Sequence, residues 1–259
     1  MNTYVIVTKK HGVKIMSVML AAAIILVIIA VVTPYMYRAV VLVKSAGAVC
    51  ATDRSSGEIS LTFDISEGEW GEGEHLPDIL SQLRENNAKC TFFVTGEWAQ
   101  QFPDAVNVIV ADGHEIMNGG RGGEKKADAD RAETTAFICE GADIIHSLTG
   151  IYPMLLRLSN GKYQSQMLQI AESLNMTVVK WDVDSMDAKG VTEDVIASRV
   201  NSLAQSGSIV RFSGLSRATL DALPEIFQSL SEKNLSCIRV SDMLYTDYIL
   251  DKDGRQLAR

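Results

Sequence analysis

The sequence predicts an α/β fold, in which helices cover a parallel β-sheet, preceded by one N-terminal transmembrane helix. Three observations lead to this fold class: a long uncharged apolar run near the N-terminus, short β-branched or aromatic runs through the rest of the chain, and helical periodicity between those runs. Of the 259 residues, 47% are hydrophobic and 22% charged, as in globular proteins. That length suits one large domain or two small ones.

The N-terminal apolar run extends over residues 15–37 and contains no charged residue. As a helix it would be about 34 Å long, which exceeds the ~30 Å hydrocarbon core of a bilayer. Three lysines precede it and favour a cytoplasmic N-terminus at residues 1–14. A cleaved signal peptide is the alternative, although its apolar region is usually only about 7–15 residues long. We expect a retained single-pass anchor that holds the rest of the chain on the extracytoplasmic side of the cell membrane.

The charge of the chain is unevenly distributed. Residues 1–44 contain five basic and no acidic residues, so the remaining 215 residues contain 19 basic and 32 acidic ones, a net charge of −13. Nucleic-acid binding depends on clustered lysine and arginine, and this acidic body excludes it. Four cysteines are too few for a disulfide scaffold and too far apart for a CxxC metal site, and their spacing leaves their pairing open. They are Cys50, Cys90, Cys139 and Cys237.

After a polar linker at residues 38–57, strand-like and helix-like patterns alternate over residues 58–244. The helical segments carry apolar residues at positions i, i+3, i+4 and i+7, which places them on one face of a helix. Repeated alternation predicts a parallel sheet, either open or closed into a small barrel. In the polar tail at residues 245–259 we expect partial order at best. The helical segments are 76–83, 167–174 and 223–230, and the predicted strands are Ile59–Phe63, Cys90–Val94, His114–Met117, Met154–Arg157, Thr177–Trp181, Ser208–Arg211 and Ser236–Arg239.

Polar residues stand where several predicted strands end. Asp64 follows the first strand, Arg157 ends the fourth and Asp184 follows the fifth. The loops that leave the carboxyl ends of parallel strands converge at one end of the sheet, where α/β proteins bind their ligands. These three side chains are therefore expected to face one mouth, either as a functional site or as a solvated polar rim.

The order of several segments resembles the NodB-homology polysaccharide deacetylases, a carbohydrate esterase fold. The segments are LTFD, KCTFFVTGEWA, FPDAVNVIVADGHEI, VVKWDVDSMDAKG, SGSIV and ALPEIFQSLSEKN. Within that family, TFDIS and KWDVDSMD are most similar to the PdaB-type sporulation branch. The resemblance covers about residues 58–244 and implies a distorted (β/α)7 barrel, whose enzymes remove N-acetyl groups from peptidoglycan or chitin-like sugars.

The resemblance also implies how such enzymes work. A divalent metal, usually zinc, lowers the pKa of bound water and polarises the amide carbonyl. In the family its ligands are an aspartate directly after the first-strand aspartate and two histidines of an H-x-x-x-H loop. The first-strand aspartate is the general base, a histidine after the sixth strand is the general acid, and an arginine and a later aspartate orient the base.

Matched residue by residue, this sequence keeps the supports of that site and lacks its metal ligands. The base position is Asp64, the orienting arginine is Arg157, and Asp184 is kept in the segment KWDVDSMD. The metal-ligand positions read Ile65, Gly119 and Gly123, and the acid position reads Ser213. We therefore expect no metal or other cofactor, a buried charge-paired cluster at the mouth, and a mobile loop at the glycine-rich string NGGRGG.

Two of the four histidines bear on whether other residues replace the missing ligands. His75 closes an acidic loop at residues 67–75, whose carboxylates could build a calcium or magnesium site, although a solvated acidic loop is the more ordinary interpretation. His114 lies in a predicted strand and is expected to serve packing. Neither supplies the H-x-x-x-H pair.

Three functions are consistent with the sequence. The first is a catalytically inactive deacetylase homologue, held at the membrane, that binds peptidoglycan, another N-acetylated glycan or a protein partner during envelope or spore assembly. The second is an active polysaccharide N-deacetylase with a rearranged metal site, and the third is a structural or signalling ectodomain without a carbohydrate role. The missing ligands and acid favour the first, a pseudoenzyme, because amide hydrolysis needs both a base and an electrophile.

Overall fold

The computed structural model describes residues 47–53, 55, 57–66, 74–122, 130–158, 163 and 165–258. The expected cytoplasmic segment, the anchor at residues 15–37 and part of the linker lie outside these residues. No helix within them is long and apolar enough to cross a membrane.

Within the described residues, eight strands form the central sheet, and every pair of neighbours in it is parallel. The strands are β1 (Glu58–Ile65), β2 (Thr91–Val94), β3 (Glu115–Asn118), β4 (Leu155–Leu156), β5 (Thr177–Val178), β6 (Val183–Asp184), β7 (Ile209–Phe212) and β8 (Ser236–Cys237). Their order is β5-β4-β3-β2-β1-β7-β6, with β8 paired to the first residues of β1. The sheet curls into a half-barrel, so the α/β class and the parallel sheet predicted from the sequence are confirmed.

Helices connect most of the successive strands, and β5 leads to β6 without one. They are α1 (Leu76–Glu85), α2 (Gly96–Gln101), α3 (Pro103–Ala111), α4 (Arg131–Thr149), α5 (Ser165–Ser173), α6 (Glu193–Leu203), α7 (Arg217–Glu232) and α8 (Val240–Met243), with a 3-10 helix at Asp187–Lys189. Side-chain caps determine where several of them begin. Thr95 Oγ1 accepts a hydrogen bond from Trp98 N at the start of α2, and Asp130 and Glu133 form a reciprocal capping box at the start of α4.

The core is centred on β1. Phe63 stacks on Phe92 of β2 and on Phe212 of β7, with ring centroids 5.0 and 5.2 Å apart. All residues of β1 from Ile59 onward are buried, as expected for a central parallel strand that is covered on both faces. The strand therefore carries its one acidic residue in that stretch, Asp64, into a position protected from solvent.

The folded domain begins before the predicted boundary at residue 58. Val49 is fully buried and extends the sheet at the free edge of β5: its N–H donates to Val178 O (2.8 Å), and its carbonyl accepts from Lys180 N (2.7 Å). The linker expected at residues 38–57 thus includes a stretch that is built into the sheet. Main-chain hydrogen bonds hold this stretch in the sheet. The prediction of a linker is based on the polarity of the side chains, which does not indicate main-chain pairing.

The C-terminal segment is also ordered, contrary to the expectation for residues 245–259. Strands β9 (Tyr248–Leu250) and β10 (Gln256–Ala258) form an antiparallel hairpin. The N–H of Gln256 donates to Ala51 O (2.8 Å), and its buried side-chain oxygen accepts from Tyr245 N (2.9 Å). The hairpin therefore holds the first residues of the domain in place.

Candidate functional site

The carboxylate of Asp64 is shared between two guanidinium groups. The side chain lies near the end of β1 and is almost completely buried. Its Oδ1 accepts from Arg157 Nη1 (3.1 Å) and its Oδ2 accepts from Arg211 Nε (2.7 Å). The sequence predicted the first of these partners and not the second.

Arg157 follows β4 directly, and its side chain has no exposed surface. Besides Asp64 it donates to Thr62 Oγ1 (2.5 Å) and to the carbonyl of Lys180 (2.7 Å), and its guanidinium lies 4.1 Å from the ring centroid of Phe93. Burial lowers the pKa of Arg157 from its ordinary value, against the opposing effect of the Asp64 charge. Because arginine stays protonated in proteins, Asp64 is needed as its counter-ion.

Arg211 is the residue that the sequence analysis missed. It lies within β7, where its Nη1 is 3.3 Å from Asp184 Oδ2 and its guanidinium lies 4.3 Å from the ring centroid of Trp181. Burial alone would lower the pKa of Arg211, but the charge and hydrogen bond of Asp64, together with the charge of Asp184, outweigh it and raise that pKa. The sequence does contain one indication of its role, which is a charged residue between the apolar residues Val210 and Phe212 at the end of a predicted strand. Both of these neighbours are fully buried in the structure.

The three predicted site residues are thus connected through a fourth. Asp64 contacts Arg157 directly, whereas Asp184 reaches Asp64 only through Arg211. The Asp184 side chain is partly exposed, at 31%, and its Oδ1 accepts from Met186 N (2.9 Å). The result is a linear chain of ion pairs, Arg157–Asp64–Arg211–Asp184, whose two carboxylates and two guanidinium groups carry no net formal charge.

The acid position, Ser213, is held by its main chain. Its N–H donates to both carboxylate oxygens of Asp187 (2.9 Å each), which also accept from the hydroxyls of Ser185 and Thr219. The Ser213 hydroxyl is buried and makes no hydrogen bond to any residue that the structure describes. A hydroxyl does not deliver a proton at neutral pH as an imidazolium does. Asp187 therefore serves to fix the loop after β7.

The metal-ligand positions do not fit the divalent metal of the family. Ile65 packs in the apolar core, and Gly119 has no side chain. A Cβ atom at Gly119 would lie 2.8 Å from the carbonyl oxygen of Val94, so a larger residue there requires the backbone to move. Gly123 lies outside the described residues. Within the described part of the chain, no three His, Cys, Asp or Glu side chains are grouped so as to hold a metal ion.

The described part of the glycine-rich string is tightly packed, contrary to the mobile loop expected there. Gly119 N donates to Val94 O (2.8 Å), and the carbonyl of Gly120 accepts from Gly96 N at the start of α2 (2.9 Å). A Cβ atom at Gly120 would overlap the ring of Phe137 on α4. Glycine is used here because it allows the loop and two helices to approach closely.

The structure places His114 in the core, as the sequence predicts. Its Nδ1 accepts from Cys90 N (3.1 Å), and its ring meets Phe92 edge to face at 5.6 Å. Burial lowers the pKa of His114 to about 4, so the ring is neutral at neutral pH. His75 lies in the turn before α1, but residues 67–73 of the acidic loop lie outside the described residues, and a cation site there stays a prediction.

Comparison with protein families and with curated proteins identifies relatives of this chain. The family model described as polysaccharide deacetylase matches residues 51–179. A peptidoglycan-N-acetylglucosamine deacetylase of Bacillus cereus is 31% identical over 196 residues, which cover 74% of this chain and 70% of that protein. The peptidoglycan-N-acetylmuramic acid deacetylase PdaC of Bacillus subtilis is 26% identical over 191 residues, and the match spans only 39% of its length.

Solved structures show the same fold. A peptidoglycan N-acetylglucosamine deacetylase, solved with a bound N-hydroxybenzamide compound, matches with a TM-score of 0.71 and 29% identity over 76% of this chain and 92% of that chain. A CE4-family pseudoenzyme from Bacillus anthracis matches with a TM-score of 0.72 and 21% identity over 83% of this chain and 74% of that chain. At this identity, the second likeness concerns the fold alone.

Proposed function

The chain belongs to the polysaccharide deacetylase family, and we propose that it is a member which no longer catalyses metal-dependent deacetylation. On this proposal it serves as a membrane-anchored, extracytoplasmic domain that binds an N-acetylated glycan, with peptidoglycan as the first candidate, or a protein partner in the cell envelope. The observation that carries the proposal is the pairing of both oxygens of Asp64 with Arg157 and Arg211.

A general base must accept a proton during the reaction. If Asp64 accepted one, two guanidinium groups in the site would lose their shared counter-ion, and Arg157 is completely buried. Removing one partner of a buried ion pair costs about 3–5 kcal/mol. The network therefore favours an Asp64 that stays ionised and paired, which is a structural role.

The electrophilic half of the reaction also has no candidate among the matched positions. Amide hydrolysis needs a charge or a donor that stabilises the developing oxyanion. Ile65 and Gly119 offer neither, and the Ser213 hydroxyl stands where the family has its acid. The two cations of the site, Arg157 and Arg211, are both engaged with carboxylates.

The relatives support the proposed substrate class, and the sequence supports the proposed location. The two curated relatives compared above are named as peptidoglycan deacetylases, which makes a peptidoglycan strand the glycan to test first. The uncharged run at residues 15–37 supports a single-pass anchor that exposes the domain to the envelope. The segments TFDIS and KWDVDSMD support a place beside the PdaB-type sporulation branch.

Acetate release from peptidoglycan and chitin oligomers tests this function, with the full chain in detergent micelles and added zinc or cobalt. The Bacillus cereus relative in the same assay is the positive control. We expect no acetate, no stoichiometric transition metal by elemental analysis, and retention of the chain on insoluble peptidoglycan. Acetate release that depends on added metal would instead establish an active enzyme with a rearranged site.

A further inference from the structure

Three exposed apolar side chains lie in the four residues before β4. The exposed fraction is 61% for Ile151, 37% for Tyr152 and 47% for Met154, and Pro153 between them is buried. We call these residues the 151–154 patch. Isolated exposed apolar residues are ordinary, but a group of them marks a contact surface. The other large exposed apolar side chains of the described residues stand apart in the sequence; they are Val108, Val195, Leu203 and Ile249.

The local structure holds the 151–154 patch in place. Helix α4 ends at Thr149 and is capped by Gly150, which has a left-handed conformation (φ +72°) and donates its N–H to His146 O (2.8 Å). The next N–H, of Ile151, donates to Thr149 Oγ1 (3.1 Å), and the Tyr152 ring packs at 5.9 Å from the His146 ring. The apolar side chains are thus presented by a hydrogen-bonded turn, so little conformational entropy is lost when they make a contact.

The chain enters the domain close to this patch. Strand β5 lies between them: Thr177 N donates to Met154 O (2.9 Å) on one side, and Val178 O accepts from Val49 N (2.8 Å) on the other. Across the sheet, two strand spacings, about 10 Å, therefore separate the segment at Val49 from the chain that leads into β4. Val49 is in parallel register with Val179, so the residues before Val49 lie toward the end of the sheet where β4 and β5 begin. Main-chain hydrogen bonds hold residues 49–52 to the rest of the domain, so the chain between the predicted anchor and the domain ends before Val49.

The tether is also short. Only residues 38–46 separate the predicted anchor from the first described residue, Gly47, and these nine residues reach at most about 30 Å when fully extended. A surface that is held within this distance of a bilayer meets it at a high effective concentration, so a small apolar area suffices for a lasting contact. The bilayer is therefore the partner that the position of the patch favours.

We propose that the 151–154 patch rests on the lipid bilayer, with Ile151 and Met154 in the interface and Tyr152 at the level of the headgroups. Tyrosine is enriched at this level because its ring is apolar and its hydroxyl is polar. The patch precedes β4 whereas Arg157 follows it, so the contact holds the mouth of the sheet away from the bilayer, toward the cell wall. This inference rests on the anchor proposed above.

Fluorescence quenching by bromine-labelled lipid tests the contact. The full chain carrying Tyr152→Trp is placed in phosphatidylcholine nanodiscs at one chain per disc, with or without bromine at shallow acyl positions, and the emission of the parent chain is subtracted. We expect loss of most of the added emission in brominated discs, because interfacial side chains reach about 5–10 Å into the boundary. The matched control is Val195→Trp, because Val195 is also exposed, at 47% against 37% for Tyr152, but lies in the first turn of α6, at the mouth end.

Each other outcome overturns a defined part of the inference. Unquenched emission from Tyr152→Trp in a chain that stays in carbonate-washed membranes overturns the patch and leaves the anchor intact. Release of the chain by that wash overturns the anchor, and the patch with it. Equal quenching of both variants denies a preferred orientation. Shielding of the added indole only in discs that hold two chains would identify a second copy as the occupant instead.

Discussion

The Nε atom of Arg211 lies 2.7 Å from Oδ2 of Asp64, on the side of the carboxylate that Arg157 leaves free. Arg211 lies in β7, where it is in register with Thr62 of β1. Thr62 precedes Asp64 by two residues, so both face the same side of β1. The same guanidinium continues to Asp184 (3.3 Å). A cation supplied by the chain itself thus lies at the carboxylate for which the resemblance to polysaccharide deacetylases implies the role of general base.

Replacing Asp64 by asparagine removes the shared counter-ion of Arg157 and Arg211. An unpaired buried charge typically costs about 3–5 kcal/mol, so we expect Asp64→Asn to lower the free energy of unfolding by an amount in this range. Urea denaturation at neutral pH measures it. Asp221→Asn, which breaks the exposed ion pair with Arg217, is the matched control and should leave the midpoint almost unchanged. Equal effects of the two substitutions would show that the network contributes nothing specific.

An imidazole at Gly119 should fail to rebuild a metal site. Its Cβ atom would lie 2.8 Å from Val94 O, and the matched position Ile65 would still offer no ligand atom. We expect both Gly119→Ala and Gly119→His to destabilise the domain by about 1–3 kcal/mol through overpacking. Elemental analysis after zinc loading and dialysis should find no bound metal in either.

Gly150→Asn is the control that shows whether replacing any glycine of the domain is destabilising. A Cβ atom there meets nothing within 4 Å, and asparagine tolerates the left-handed conformation. This variant should unfold close to the parent chain. Stoichiometric zinc in Gly119→His at unchanged stability would contradict the packing argument.

The elements that depend on apolar periodicity were predictable. The residues that the spacing placed on one face of α1 are its buried residues, Leu76, Ile79, Leu80 and Leu83. The same holds for the second half of α7, where Leu223, Ile226, Phe227 and Leu230 are buried. Apolar periodicity shows which face of a helix packs against the core. The fold class can therefore be predicted without knowing which strands pair with each other.

Interactions that depend on a partner distant in sequence were not predictable from one chain. Arg211 pairs with a carboxylate 147 residues away, and only the strand order brings β7 beside β1. The pairing of Val49 with β5 uses backbone atoms, which every residue has. The close packing at Gly119 likewise depends on how near Val94 lies, whereas glycine by itself is equally typical of mobile loops.

The C-terminal hairpin should stabilise the start of the domain. Gln256 is buried, and its side-chain oxygen accepts from Tyr245 N (2.9 Å). Gln256→Ala leaves that donor without its acceptor, and we expect a loss of about 1–3 kcal/mol in the free energy of unfolding. Hydrogen exchange of the Cys50 amide, which donates to Gly254 O (2.7 Å), should accelerate as the hairpin loosens. Gln228→Ala, on the exposed face of α7, is the control, and an equal effect there would deny the hairpin this role.

His114 should make the domain less stable in mild acid. Burial lowers its pKa to about 4, against an ordinary value of about 6.5 in the unfolded chain. Between these two pH values the unfolded state binds the extra proton, so this contribution to stability is present above pH ~6.5 and is lost as the pH falls toward ~4. A shift of this size corresponds to roughly 3 kcal/mol.

The contribution of His114 is isolated by comparing the parent chain with His114→Asn, whose side-chain oxygen can accept from Cys90 N in place of Nδ1. The excess stability of the parent should shrink steadily from pH 7 to pH 4 in urea denaturation experiments. NMR titration of the ring should show it neutral until the pH approaches about 4. If the free energies of unfolding of the two chains change with pH in parallel, or if the ring titrates near pH 6.5, then burial does not oppose protonation of His114 and the prediction is wrong.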